Sequence, residues 1–343
     1  MSLKIAATTI LRNDAREVLM LKRGATAKFM PNSLVFPGGI VEPKIDASFP
    51  ESKTNYEEKN YDGILLNGFK NDFPLRVGAA RELFEEAGVL LVFNVNVREF
   101  YPITPEHDKS LNEWRKKVRE DPSKFSQLFG SSLKLDVDAL IPWSNWLTPA
   151  SYNRRFDTVF FIVPITETIT EEFCEREMAG AKWDIPSHFI ERNYGEERLS
   201  LPPPQFYELA RLRLMHCNER ESLEKMSNPF KICPQVVLNS DTPGIRTTLM
   251  PGDFCFDWSK RFEGTPLKTL TTKELTPTEN VSIHRITFSE NPLYSQINLE
   301  IKNVDRLSNK IHLFHCQETF TEERQRILDE ILNEPKRRNK HEK

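Results

Sequence analysis

Cysteine is scarce in this sequence and is arranged for neither a metal site nor a disulfide framework. The 343 residues include five cysteines, with no Cys-x-x-Cys pair and no His/Cys cluster. No thiol has a neighbouring His or Asp pattern of the kind that cysteine catalysis needs. An odd, dispersed set is typical of reduced thiols in an intracellular protein without structural zinc. The five are Cys174, Cys217, Cys233, Cys255 and Cys316.

Long apolar runs, a targeting segment and an excess of positive charge are also missing. No apolar run approaches the roughly 20 residues of a membrane-spanning helix, and the opening MSLKIAATTILR lacks the pattern of a signal peptide. The closing RRNKHEK is not a Ser-Lys-Leu peroxisomal address. A net charge of −3 supplies no basic field for nucleic acid. We therefore expect a soluble intracellular protein that binds neither a membrane nor nucleic acid.

Strands and helices are mixed along the chain without a regular alternation. Apolar runs at 4–11 and 17–22, joined by a polar turn, predict a hairpin. RFDTVFFIVPI at 155–165 predicts a central strand. Because neither a βαβ alternation nor an internal repeat is visible, we expect an α+β fold or a layered α/β/α domain.

Two segments indicate how the chain is divided. Residues 43–74 are mostly polar and predict a long loop or insertion. The run LPPPQFYELARLRLMH at 201–216 begins with prolines and continues as a helix, which indicates a seam near residue 200. We predict a first domain at 1–200 that contains the insertion. A C-terminal extension of unknown role follows at 201–343, with further strands and a charged helix near 320–335.

Apolar residues three to four apart predict a helix from about Leu75 to Ala87, and Gly88 is the predicted stop. This helix crowds three carboxylates near its end. Glu82, Glu85 and Glu86 project from one face because they are three and four residues apart. A helix C-terminus disfavours negative charge. Two interpretations stay open: an ordinary solvated face, or a site for a hard divalent cation such as Mg²⁺ or Mn²⁺.

The full string RELFEEAGV at 81–89 resembles the second half of the Nudix box, the signature of the Nudix hydrolases. FPGGIVE at 36–42 resembles the opening of the same box. The two halves are separated, since Gly39 and Arg81 lie 42 positions apart, much farther than in the family's pattern. Ile45 also stands where the box carries a further glutamate. The sequence is therefore identified as a Nudix hydrolase whose box is interrupted by an insertion.

Further blocks resemble a narrower subgroup, the Nudix coenzyme A diphosphatases with an interrupted box. This resemblance implies a Nudix-type α/β/α sandwich with a mixed sheet and an additional C-terminal α/β extension. It also implies a Mg²⁺- or Mn²⁺-dependent diphosphatase that cleaves coenzyme A or acyl-CoA. The resemblance suggests a peroxisomal protein, and the missing peroxisomal address leaves the cytoplasm as the alternative. The blocks are FMPNSLVFPGG at 29–39, NWLTP at 145–149, RRFDTVFF at 154–161 and LPPPQFYE at 201–208.

The same resemblance implies which residues form the site. Glu82, Glu85 and Glu86 would bind the metal, with the Gly38 carbonyl oxygen as a further ligand. Arg81 would hold a glutamate in place, and we assign Glu85 and Arg81 to catalysis.

Two additional assignments complete the predicted site. Glu177, in EMAGAKW, is the candidate for a further carboxylate that acts as ligand or base, and its alternative is a surface glutamate in an acidic run. Arg23, Arg154 and Arg155 are candidates for the 3′-phosphate of coenzyme A, because a forked guanidinium suits phosphate. Their alternative is a role as surface or strand-end arginines.

Other functions stay open at this point. The substrate could be another nucleoside diphosphate derivative, such as an ADP-sugar or a dinucleotide. The chain could also be a non-catalytic scaffold that binds a nucleotide, although the presence of all three helix glutamates argues against that. The number of metals and the oligomeric state are not decided by the sequence.

Overall fold

The computed structural model describes residues 3–27, 30–58, 69–170, 173, 178–227, 231–260, 267–278 and 281–304. The helix expected near 320–335 lies outside these residues. The strands are β1 Lys4–Arg12, β2 Val18–Arg23, β3 Leu34–Val35, β4 Gly38–Ile40, β5 Leu90–Asn94, β6 Glu99–Ile103, β7 Leu133–Leu135, β8 Ile141–Leu147, β9 Phe156–Pro164, β10 Met178–Asp184, β11 Lys231–Ile232, β12 Gln235–Asn239, β13 Ile245–Leu249, β14 Lys268–Leu270, β15 Ile283–Glu290 and β16 Leu293–Lys302. The α-helices are α1 Pro43–Asp46, α2 Phe73–Ala87, α3 Ser110–Glu120, α4 Pro186–Tyr194, α5 Pro203–Arg213, α6 Arg220–Met226 and α7 Thr272–Leu275. Short 3-10 helices occupy Glu51–Lys53, Pro122–Leu128 and Trp258–Lys260.

The main sheet is mixed. Its strand order among the described residues is β10-β2-β1-β9-β8-β11, with β3 paired to β2 and β4 paired to β1. The hairpin prediction is confirmed, since β1 and β2 pair antiparallel. The central-strand prediction is also confirmed, because β9 lies between β1, its parallel neighbour, and β8.

The first half of the box lies in a fork between β1 and β2. Away from the turn that joins β1 to β2, β3 pairs with β2 and β4 pairs with β1. Residues 34–40 therefore cross from one strand to the other. Gly38 is required here, because a Cβ at this position would lie 2.5 Å from the Ala7 carbonyl oxygen. The fork therefore holds the Gly-Gly backbone against β1, facing the end of α2.

Helix α2 covers one face of the main sheet. Its apolar side packs with alternate residues of β1 and β9 in a first hydrophobic core. The helix ends as expected at Gly88, whose φ of +71° is left-handed and whose N–H donates to the Phe84 carbonyl oxygen at 3.0 Å. The sequence prediction of this helix and of its glycine stop is confirmed.

Helices α4 and α5 cover the opposite face and also carry the C-terminal sheet. That sheet has the order β14-β12-β13-β15-β16. A second core combines side chains of the main sheet, α4, α5, β15 and β16. The α/β/α arrangement with a mixed sheet and an added C-terminal region is thereby confirmed. The domain division near residue 200 stays a prediction, and this second core includes residues from both sides of it.

The described part of the insertion packs against the 3-10 helix and strand that follow α3. The Phe49 ring packs at an angle against Phe125 and Phe129, with its centroid 5.9 Å from each of theirs. Asn55 donates to Asp136 at 2.9 Å, and Lys53 donates to the Ser126 carbonyl oxygen at 2.8 Å. The segment predicted as a long loop thus contains α1 and a 3-10 helix, and it has its own apolar anchor. No helix of the described residues is long and apolar enough to cross a membrane.

A buried histidine joins the C-terminal sheet to α5. His284 Nδ1 lies 2.7 Å from the Pro251 carbonyl oxygen, which can only accept, so Nδ1 carries the proton. Its Nε2 therefore accepts the hydroxyl proton of Tyr207 at 3.1 Å. Burial lowers the pKa of His284 to about 4. Protonation would turn this acceptor into a donor facing a buried hydroxyl.

We expect this histidine to make the fold less stable in mild acid. The pKa of His284 is about 4 in the folded chain and about 6.5 in an unfolded one. Between these values the unfolded chain binds more protons, so stability falls as the pH falls. The free energy of unfolding should drop by about 2 kcal/mol between pH 7.5 and 5 from this group alone.

Urea unfolding at both pH values measures this drop in the wild type, in His284→Gln and in the exposed-residue control His216→Gln. His284→Gln should flatten the pH dependence, whereas His216→Gln should keep the wild-type slope. Equal slopes in all three proteins would contradict the assignment.

Candidate active site

Arg81 organises the carboxylates at the end of α2, and every N–H of its guanidinium is used. A guanidinium has five N–H donors. Two form a fork on Asp46, from Nε at 2.9 Å and from Nη2 at 3.0 Å. Nη2 also donates to the Ile40 carbonyl oxygen at 2.9 Å. Nη1 donates to both Glu82 at 2.9 Å and Glu85 at 2.8 Å.

The third glutamate faces the backbone of the fork. Glu86 Oε2 accepts the Gly38 N–H at 2.8 Å. Gly39 lies directly against Glu82, because a Cβ on this glycine would be 2.5 Å from the glutamate's carboxyl carbon. Both halves of the interrupted box therefore meet in space, although 42 positions separate Gly39 from Arg81. The predicted cluster of Gly38, Arg81 and the three glutamates is brought together.

The glutamates are crowded and largely shielded from water, unlike a solvated helix face. The side chains of Glu82 and Glu85 are only 16% and 14% exposed. Burial raises the pKa of Glu82 to about 7; Arg81 opposes this rise and the charge of Glu85 adds to it. Burial also raises the pKa of Glu85 against the pull of Arg81. Arg81, with one positive charge, does not by itself balance the carboxylates of Asp46, Glu82 and Glu85 that it contacts.

Arg115 on α3 supports the helix end from behind. It donates from Nε to the Glu85 carbonyl oxygen at 2.9 Å and from Nη2 to the Glu86 carbonyl oxygen at 2.7 Å. These are among the carbonyls that a helix leaves unpaired at its C-terminus, where a cation is favourable. Sequence reasoning missed this residue, because nothing in the local sequence around Arg115 connects it to the helix glutamates.

The donor set fits a hard divalent cation. It consists of carboxylate oxygens, which Mg²⁺ and Mn²⁺ prefer. Burial disfavours the charged form of Glu82 and Glu85 and raises the pKa of both, and a bound cation would favour that charged form. In the part of the chain that the structure describes, no three His, Cys, Asp or Glu side chains already converge as a metal cluster. Arg81 holds two of the glutamates and the Gly38 N–H holds the third. A cation would compete with these hydrogen bonds for the carboxylate oxygens.

The other predicted residues lie elsewhere or outside the description. Arg154 and Arg155 precede β9, whose Phe156 pairs with Lys4, whereas Gly38 pairs with Thr8. These positions are about 13 Å apart along β1. Arg23 ends β2, and its N–H donates to the Ser33 carbonyl oxygen at 2.9 Å. Glu177 lies outside the described residues, so its predicted role stays a prediction.

Comparison with known proteins agrees with this architecture. The model of the NUDT19 Nudix domain matches residues 49–212. A Caenorhabditis elegans protein that carries the name nudix hydrolase 7 is 33% identical over 300 residues, covering 87% of this chain and 89% of that one. The acyl-coenzyme A diphosphatase NUDT19 of Gallus gallus is 30% identical over 337 residues, covering 83% and 86% respectively. A solved Nudix hydrolase from Alicyclobacillus acidocaldarius shares the fold with a TM-score of 0.50 and 24% identity, covering 65% of this chain and 96% of that chain. The chain belongs to the Nudix hydrolase family.

Proposed function

We propose that this protein is a metal-dependent diphosphatase of coenzyme A or acyl-CoA, releasing 3′,5′-ADP and 4′-phosphopantetheine or its acyl ester. The observation that carries the proposal is the buried cluster of Glu82, Glu85 and Glu86 against the Gly-Gly backbone of the fork. The substrate class rests on relatives, including the Gallus gallus protein named acyl-coenzyme A diphosphatase. Its compartment, peroxisome or cytoplasm, stays a prediction.

The helix glutamates have the central role in this proposal. Glu82, Glu85 and Glu86 would hold Mg²⁺ or Mn²⁺, with the Gly38 carbonyl oxygen as a further ligand. Such a cation, when bound, polarises the phosphoanhydride and lowers the pKa of the attacking water. Arg81 keeps Glu82 and Glu85 oriented through its Nη1. The low exposure of both side chains limits competition from solvent.

The arginines at the strand ends are proposed contacts for the remaining phosphate. Arg23 Nε and Arg155 Nη2 are buried without an acceptor among the described residues. Unpaired buried donors are costly, and a phosphate oxygen would satisfy them. Arg154 is exposed, directly precedes Arg155 in sequence and would add charge at the rim. Glu177 is proposed as an additional carboxylate ligand or base.

A substrate panel tests the proposal. The full chain is incubated with coenzyme A, an acyl-CoA, ADP-ribose and a dinucleotide, each with Mg²⁺, with Mn²⁺ and with a chelator. Products are identified by mass, and 3′,5′-ADP with 4′-phosphopantetheine is expected only when metal is present. Hydrolysis of none of these compounds would overturn the enzyme proposal. Much faster hydrolysis of ADP-ribose than of coenzyme A would overturn the substrate alone.

We also expect Gly39→Ala to impair turnover without impairing folding. The new Cβ would meet the carboxylate of Glu82 at 2.5 Å and push it aside. A misplacement of about 1 Å near reacting groups costs on the order of a hundredfold in rate. Stability should change little, because the atoms that must move are at the free end of a flexible side chain.

Gly180→Ala is the matched control, since a Cβ at Gly180 meets nothing within 4 Å. Turnover of coenzyme A and the unfolding temperature are measured for both variants. Wild-type turnover in Gly39→Ala would show that Glu82 need not occupy its present place.

A further inference from the structure

Asp46 is a fully buried carboxylate at the start of the insertion. It ends α1, and its side chain is 0% exposed. Oδ1 accepts from Arg81 Nε at 2.9 Å. Oδ2 accepts from Arg81 Nη2 at 3.0 Å and from the Glu42 backbone N–H at 2.7 Å. Asp46 directly follows Ile45, the position at which the family's box carries a glutamate.

The bond to the Glu42 N–H ties Asp46 to the box's first half. Glu42 closes the FPGGIVE segment, and α1 is the single turn that brings Asp46 back onto it. On the other side, Gly78 of α2 leaves room for the carboxylate, since a Cβ on this glycine would lie 3.1 Å from Asp46 Oδ2. Asp46 is thus held between the first half of the box and helix α2.

The two hydrogen bonds from Arg81 to Asp46 determine how Arg81 faces the glutamates. A planar guanidinium held at Nε and Nη2 cannot rotate, so its remaining nitrogen, Nη1, must point at Glu82 and Glu85 together. Without these two hydrogen bonds, Arg81 would be free to turn and bind one glutamate with two nitrogens. That arrangement would remove a carboxylate from any cation at the site.

Charge leads to the same conclusion. Asp46 and Arg81 form a buried ion pair, with the fork distances at 2.9 and 3.0 Å. Because Asp46 balances the charge of Arg81, the charges of Glu82 and Glu85 stay available to a cation. Removing the Asp46 charge would leave Arg81 to neutralise one of them.

We propose that Asp46 is a positioning residue for the divalent cation: it orients Arg81, and through Arg81 the ligands Glu82 and Glu85, across the interrupted box. This inference rests on the metal site of the proposed function. It also explains how an insertion can separate the two halves, because Asp46, which binds both Glu42 of the first half and Arg81 of the second, precedes most of the insertion.

Direct Mn²⁺ binding to Asp46→Asn tests the inference. Asparagine keeps the shape of Asp46 but loses its negative charge and one of the two oxygens that accept from Arg81. Mn²⁺ bound to the full chain is measured by electron paramagnetic resonance, without substrate. Replacing a residue that orients a metal ligand typically costs about 10- to 100-fold in metal affinity, and we expect a loss in that range. In activity assays, the Mn²⁺ concentration for half-activation should rise, and kcat at saturating Mn²⁺ should change much less.

Asp72→Asn is the matched control. Asp72 is a buried carboxylate at the other end of the same helix, paired with Arg76 at 2.6 Å and with the Tyr56 hydroxyl at 2.8 Å. It should lose stability but keep the wild-type affinity for Mn²⁺. If Asp46→Asn does not fold, Gly78→Ala provides the test. Its Cβ would lie 3.0 Å from Val41 Cγ2 and 3.1 Å from Asp46 Oδ2, so the Asp46 carboxylate must shift by a few tenths of an ångström while its charge remains. A loss of Mn²⁺ affinity is expected there too, smaller than the loss in Asp46→Asn.

The possible outcomes separate the inference from the proposed function. If Asp46→Asn binds Mn²⁺ with wild-type affinity, the inference is overturned. If only Gly78→Ala folds, the same result in that variant overturns it. An equal loss of affinity in Asp72→Asn overturns it too, since the effect would then follow general stability. If the wild type binds Mn²⁺ but hydrolyses no coenzyme A compound, only the proposed substrate and activity fail. If the wild type binds no Mn²⁺, the metal site and the role of Asp46 are both overturned.

Discussion

Glu86→Gln is expected to lower kcat for coenzyme A by about a thousandfold or more while the fold persists, a barrier increase of about 4 kcal/mol. Glutamine keeps an oxygen that can accept the Gly38 N–H, which Glu86 now accepts at 2.8 Å. It removes one of three negative charges, and charge stabilisation by a bound metal contributes several kcal/mol to such reactions. The loss should therefore appear in kcat and in metal affinity, with little change in the unfolding temperature.

The matched control for Glu86→Gln is Glu113→Gln, which removes an exposed glutamate from the adjacent helix α3. Steady-state kinetics at saturating Mg²⁺ and thermal unfolding are measured for both variants. The control should match the wild type in both measurements. If Glu86→Gln keeps a tenth of wild-type kcat, the assignment of Glu86 as a metal ligand fails.

Local patterns were sufficient to predict the elements that carry the site. The helix followed from the apolar spacing of Leu83, Phe84 and Ala87, and its end followed from Gly88, whose φ is +71°. The hairpin of β1 and β2 likewise needed only two apolar runs and a turn. Such features depend on neighbours within a few positions, so the sequence displays them directly.

The contacts that hold the helix glutamates depend on residues far away in the chain. Asp46 reaches Arg81 across 35 positions, and Arg115 reaches the Glu86 carbonyl oxygen across 29. Nothing in the local sequence distinguishes Asp46 from the polar residues around it. The sequence alone could not exclude a solvated glutamate face. The burial of Glu82 depends on the fork between β1 and β2, which brings Gly39 onto it.

The largest effect on stability is expected from Glu208→Ala, far from the proposed metal site. Glu208 on α5 is fully buried, and its carboxylate accepts the indole N–H of Trp143 at 2.7 Å and of Trp146 at 2.8 Å. It also pairs with Arg211 at 2.8 Å, whose guanidinium lies 4.2 Å from the centre of the Trp143 ring. Alanine would leave a buried charge without its partner and two indole donors without an acceptor. Breaking a buried ion pair in this way costs about 3–5 kcal/mol, and each unsatisfied donor adds about 1–3 kcal/mol.

A loss of that size is comparable to the whole free energy of unfolding of a typical protein, about 5–15 kcal/mol. Urea unfolding followed by tryptophan fluorescence should therefore show little or no cooperative transition for Glu208→Ala. Adding Arg211→Met to Glu208→Met removes both charges, and this double variant should regain part of the lost stability because no uncompensated charge remains. If the free energy of unfolding of Glu208→Ala lies within about 1 kcal/mol of the wild-type value, then the carboxylate that joins α5 to β8 does not hold the second core together. If the double variant is no more stable than Glu208→Ala, the unpaired indoles, and not the unpaired guanidinium, are the main source of the cost.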